Sequence, residues 1–224
     1  MMWLWSVAHA LEPGPYALEV TIVTESRLPV IGTKRVTTTS QVLARLREGP
    51  DGWVQQQRTC AVLVEGGGPA TTTIPPAFVA ALPVQEIPVD LSDGYRVDGG
   101  PTTLGAEADG PLPRRAEDPG VKDSDGDGQP GVTVWVDAPV VGRVEMYVVQ
   151  RAHSVLLGKR TETGAEGAVD VRQMEQWTLG ASHKLLAANP TLTVVAEASR
   201  FRLVSVAEGS CEAVGMGLRE AGKD

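Results

Sequence analysis

The most regular feature of the chain is an alternation of apolar and polar positions with period two. From Val36 the even positions run Val36, Thr38, Ser40, Val42, Ala44 and Leu46, all small or apolar. The odd positions Arg35, Thr37, Thr39, Gln41, Arg45 and Arg47 are polar, and Leu43 breaks the rule. Successive side chains of an extended backbone point to opposite faces, so this pattern predicts a half-buried strand. A helix over 40–48 would also gather Val42, Leu43 and Leu46. The longer alternation and its Thr and Val content favour the strand. Gly49-Pro50-Asp51-Gly52 is a turn signal. Trp53–Glu65 then reads as the return strand of a hairpin.

The same reading extends along the chain. Tyr16–Thr24 alternates Leu18, Val20 and Ile22 against Glu19 and Thr21, and predicts a strand. Ile74–Pro83 reads as one short helix, with proline in its first turn and Pro83 as its stop. Residues 84–131 form an irregular insertion rich in Pro, Gly and Asp, with short strands near 86–91 and 95–97 and a mobile surface loop over 105–122. Val132, Val134 and Val136 restore the alternation, and Val144, Met146 and Val148 continue it toward Leu157. Ala168–Leu179 fits strand or helix, Ser182–Ala188 a short capped helix, and Thr191–Ala207 one long strand. Residues 216–224 read as a frayed, charged tail. The expected fold is all-β with one or two short helices, a single domain over 11–215. Its strands form an antiparallel meander that closes as a barrel or folds as a sandwich, hiding the long edges.

Composition narrows the function. The net charge of -8 argues against a nucleic-acid partner, which calls for a basic stripe. No stretch has the ~18 continuous apolar residues of a membrane helix. The opening MMWLWSVAHA resembles the end of a signal peptide: an apolar run, then Ala8-His9-Ala10 as a small-x-small cleavage pattern. Residues 1–10 are therefore expected to be removed and the protein to be periplasmic or secreted. The cysteines, Cys60 and Cys211, are two in number and suit one disulfide in an exported chain. Such a bond would stabilise by about 4–5 kcal/mol in the chain-entropy model.

One segment carries chemistry. Asp123-Ser124-Asp125-Gly126-Asp127-Gly128-Gln129-Pro130-Gly131 contains D-x-D-x-D-G. Three carboxylates at alternate positions converge on one ion when the loop curls, and the glycine after the third Asp lets the backbone turn. Hard oxygen ligands select calcium over soft-ligand metals. The segment resembles the loop of EF-hand-like calcium sites. That resemblance implies calcium held by Asp123, Asp125, Asp127 and the backbone carbonyl of Gln129. It departs from the pattern at the twelfth position, where Val134 replaces the bidentate Glu, and in lacking flanking helices. A further ligand would have to come from Asp118, Asp137, water or a distant residue.

Three functions fit. The first is a non-enzymatic exported domain stabilised by calcium, with a binding or envelope-structural role and a protein partner. The second is a lipocalin-like carrier of a small apolar ligand, since Gly14-Pro15-Tyr16 resembles the Gly-x-Trp start of such barrels; it requires an open interior. The third is a metal-assisted hydrolase, which requires an open coordination position in a cleft. No HExxH, G-x-S-x-G, P-loop or S-x-x-K pattern is present, and Ser182-His183 are sequence neighbours that do not face each other as a catalytic pair.

Overall fold

The computed structural model describes residues 11–28, 32–66, 68–139, 141–183 and 187–222. The expected leader, residues 1–10, lies outside them, as do residues 184–186 of the helix expected over 182–188. Twelve antiparallel strands form one sheet: β1 (Gly14–Leu28), β2 (Gly32–Gly49), β3 (Gly52–Gly66), β4 (Thr71–Thr73), β5 (Gln85–Asp90), β6 (Tyr95–Asp98), β7 (Thr102–Leu104), β8 (Val132–Ala138), β9 (Gly142–Arg160), β10 (Gly164–Ala181), β11 (Thr191–Val194) and β12 (Arg200–Ser205). Helices α1 (Pro76–Ala81) and α2 (Cys211–Glu220) complete the described secondary structure with a 3-10 turn at Ala196–Ala198.

Pairing runs β10-β12-β1-β2-β3-β5-β6-β9, and β9 pairs back with β10, so eight strands close a ring. The hairpin read from the alternation is present, with Gly49 opposite Gly52 across Pro50-Asp51. The even positions Val42, Ala44 and Leu46 point into the ring beside Leu18, Tyr95, Leu156, Phe201 and Leu203. Leu11 also joins this core. Three glycines let β9, β10 and β12 approach closely. A β-carbon on Gly167 would lie 2.1 Å from the Leu157 carbonyl oxygen, and one on Gly164 2.0 Å from that of Leu203. At Gly158 it would meet the Phe201 ring at 2.7 Å.

Outside the ring, charges alternate in register: Lys159 on β9 opposes Glu166 on β10, which opposes Arg202 on β12, which opposes Glu19 on β1. A bulge in β3 shifts its register between Ala61, opposite Gln41, and Thr59, opposite Val42. The extra residue is Cys60, bonded to Cys211 at the start of α2. Helix α2 covers Ala17 and Leu43 with Val214 and Leu218.

Three expectations need correction. The tail expected to fray from Met216 instead continues α2 to Glu220, because Val214 and Leu218 bury on the sheet. The long strand expected over 191–207 is broken: Ser199 turns inward, its hydroxyl accepting from Val23 N–H and donating to the Val195 carbonyl. The loop expected to move freely over 105–122 is packed: Ala106 and Leu112 bury against Val149. The Arg151 guanidinium also reaches the carbonyls of Gly110 and Ala108 at 2.8 and 3.0 Å.

Candidate metal centre

The loop over 123–131 leads straight into β8. Its ends are stapled together: Asp123 and Gly131 form a parallel bridge, Ser124 N–H donates to the Gly131 carbonyl (2.9 Å), and Gly131 N–H to that of Lys122 (3.0 Å). Gly131 has φ +90, and a β-carbon there would lie 2.4 Å from the Val148 carbonyl oxygen, so the base of the loop presses on β9. Gly126 and Gly128, with φ +73 and +83, let the chain double back between the acidic residues.

The curl brings Asp123, Asp125 and Asp127 together, one oxygen of each within 4.8 Å of the others. Among the described residues this acidic group has no further member. Asp123 organises the turn: Oδ1 accepts from the N–H of Gly126 (2.7 Å) and Asp127 (3.2 Å), and Oδ2 from Gly128 (2.8 Å). These bonds, that of Gly128 foremost, hold its carboxyl below the usual range. Asp127 Oδ1 accepts from Gln129 N–H at 2.8 Å.

Asp125 is the half-buried member. Its Oδ2 accepts from Thr133 N–H at 2.8 Å, while Oδ1 is buried with no hydrogen-bond partner. Burial, reinforced by the charges of Asp127 and Asp123, pushes its carboxyl above the usual range. A buried carboxylate oxygen lacking a donor, among two other carboxylates, is the arrangement a cation relieves. Three carboxylate oxygens, one from each aspartate, therefore lie where sharing an ion would offset both repulsion and lost hydration.

Thr133 was missed by the motif reading. Its N–H binds Asp125 and its hydroxyl donates to Asp127 Oδ2. The available signal was its position: in β8 it alternates with Val132 and Val134, which pack on Phe78 and Leu104, so Thr133 must face the other way. Tyr147 opposes it across the strand pair. Its phenol is raised by burial, then by the charges of Glu145 and Asp127.

The expected extra ligands have other partners. Asp118 Oδ2 accepts from the N–H of Arg114 and Arg115. Asp137 holds Arg143 through both oxygens at 3.1 and 2.9 Å. His153 Nε2 lies 2.8 Å from Asp98 Oδ1, a carboxyl held below its usual range chiefly by that bond. Ser182 meets the backbone of Glu145.

Fold and site together define an all-β protein with an aspartate cluster able to hold a metal ion. Compared with protein-family models, curated proteins and solved structures, the chain matches none of them.

Proposed function

We propose that this is a non-enzymatic exported domain stabilised by calcium at Asp123, Asp125 and Asp127, with a binding or envelope-structural role. The observation that carries it is the converged triad with its partnerless Asp125 Oδ1, in a loop closed at its base and continuous with β8. All-oxygen donors and the doubled-back glycine turn suit a large, hard cation. A disulfide tying β3 to the last helix supports export, because such bonds persist in oxidising compartments. No described helix is long and apolar enough to cross a membrane. Against the carrier reading, Leu18, Tyr95 and Leu203, each at most 2% exposed, occupy the interior of the ring. Against the hydrolase reading, Asp123 and Asp127 stand exposed in a surface turn.

The test is titration calorimetry and thermal melting with calcium, magnesium and chelator. Calcium at a hundredfold excess over its Kd should stabilise by about 2.7 kcal/mol, raising the melting temperature by roughly 5–10 °C. The double variant Asp125→Ala, Asp127→Ala should lose both the heat and the shift. No heat and no shift in the parent protein would sink the proposal. Intact-mass measurement of the exported fraction should show cleavage after Ala10.

A further inference from the structure

Helix α2 is fastened at both ends. At its C-terminal end Arg202 donates from Nη1 to the Ala221 carbonyl (2.6 Å) and from Nη2 to that of Leu218 (3.2 Å). At its N-terminal end the fastening is the Cys60–Cys211 bond. The two sulfurs differ in surroundings. Cys211 is the first helical residue after the Ser210 cap, at the positive end of the helix dipole. Its Sγ also lies 3.5 Å from Nη2 of Arg58. Cys60 sits on a strand bulge, its sulfur 3.8 Å from the Arg58 carbonyl oxygen. Negative charge is thus stabilised on the Cys211 sulfur and opposed on that of Cys60. Both cysteines are half-buried, within reach of a small reagent.

In thiol–disulfide exchange one sulfur is attacked and the other leaves as thiolate, faster when that thiolate is better stabilised. We infer that the Cys60–Cys211 bond is a reducible latch on α2, opened by a dithiol that attacks Cys60 and expels Cys211. A thiolate of the reductant bonds to Cys60 Sγ as the S–S bond breaks, its electron pair passing to Cys211. The second thiol of the reductant, once deprotonated, closes on the first and displaces Cys60, which takes up a proton, as Cys211 does. The protein cystine gains two electrons and two protons, and the dithiol becomes a cyclic disulfide.

Opening has a structural consequence. Helix α2 carries Gly215 and Gly217 within ten residues, too short and too glycine-rich to persist undocked. Gly217 is required where it stands, since a β-carbon would lie 2.7 Å from Val206 Cγ1. Loosening α2 bares Ala17 and Leu43 on the outer face of β1 and β2.

Three measurements on the full chain test the latch. After a glutathione pulse quenched with N-ethylmaleimide, peptide mapping should find the mixed disulfide on Cys60 at least about tenfold more than on Cys211; equal or reversed amounts overturn the inference. Arg58 is exposed, so Arg58→Gln should fold, and dithiothreitol should reduce it about three- to tenfold more slowly; an unchanged or faster rate overturns the role of Arg58. On reduction, hydrogen exchange should accelerate across 211–220 by at least about tenfold while β6 and β12 keep their protection. Unchanged exchange in α2, or loss of protection throughout, overturns the latch.

Discussion

Asp125 shows how a single residue carries two opposed demands. In the metal-free protein its carboxyl keeps its proton to a higher pH than in the unfolded chain. The folded state therefore binds more protons between those two values, and metal-free stability falls as pH rises through that window. Asp125→Asn keeps an acceptor for Thr133 N–H but removes the charge. At pH 7 without metal it should melt at or above the parent temperature, and it should lose the calcium-dependent gain; a clear metal-free loss would contradict this account. A second residue-scale case lies inside the ring. The Tyr95 hydroxyl donates to Gln55 Oε1, both side chains are buried, and Gln55 Nε2 has no partner. Burial pushes the Tyr95 phenol far up. Tyr95→Phe should cost about 1–3 kcal/mol in urea unfolding by stranding the amide, and adding Gln55→Met should recover part of that loss. The three aspartates were legible because their chemistry is local, a ligand at every second position. Thr133 lies close to them in sequence but outside the motif's spacing, and Gln55 was hidden because its partner Tyr95 is 40 positions away.

Among the elements, the hairpin β2–β3 was readable from alternation and turn residues alone, since both are short-range. Leu43, the one residue out of pattern, was the trace of an unseen element: it faces outward because α2 covers it. The second half of that helix, from Met216, was read as a frayed, charged tail, and its glycine-containing sequence is a poor helix former on its own. Docking, through Val214, Leu218 and the Arg202 contacts, supplies what propensity lacks. Leu218→Ala should accordingly cost about 2–5 kcal/mol by chemical denaturation. A loss near zero would mean that α2 contributes nothing by packing. The break at Ser199 within 191–207 was likewise hidden, because the backbone groups that hold its hydroxyl, Val23 N–H and the Val195 carbonyl, include one from β1.

For the whole molecule, period-two patterning announced an antiparallel all-β fold with hidden edges but not the order of the strands. The ring closes through β12 and β10, which the chain reaches last, against β1, which it makes first. Closure depends on glycines where β9, β10 and β12 approach closely. Gly167 opposes Gly158 across the seam, and an added β-carbon would lie 2.4 Å from the Gly158 Cα. Gly167→Ala should destabilise by at least about 3 kcal/mol, the upper end of ordinary overpacking, and lower the refolding yield. A variant as stable as the parent would show that the strands can part there without penalty.

The cystine also sets what happens when the backbone is cut. Cys60 and Cys211 are 151 positions apart, so the metal loop and five complete strands of the ring lie on one covalent circle. Arg114 and Arg115 present an exposed tryptic site on that circle. Scission there leaves two polypeptides travelling as a single species on a denaturing gel, and only a thiol reagent makes them separate.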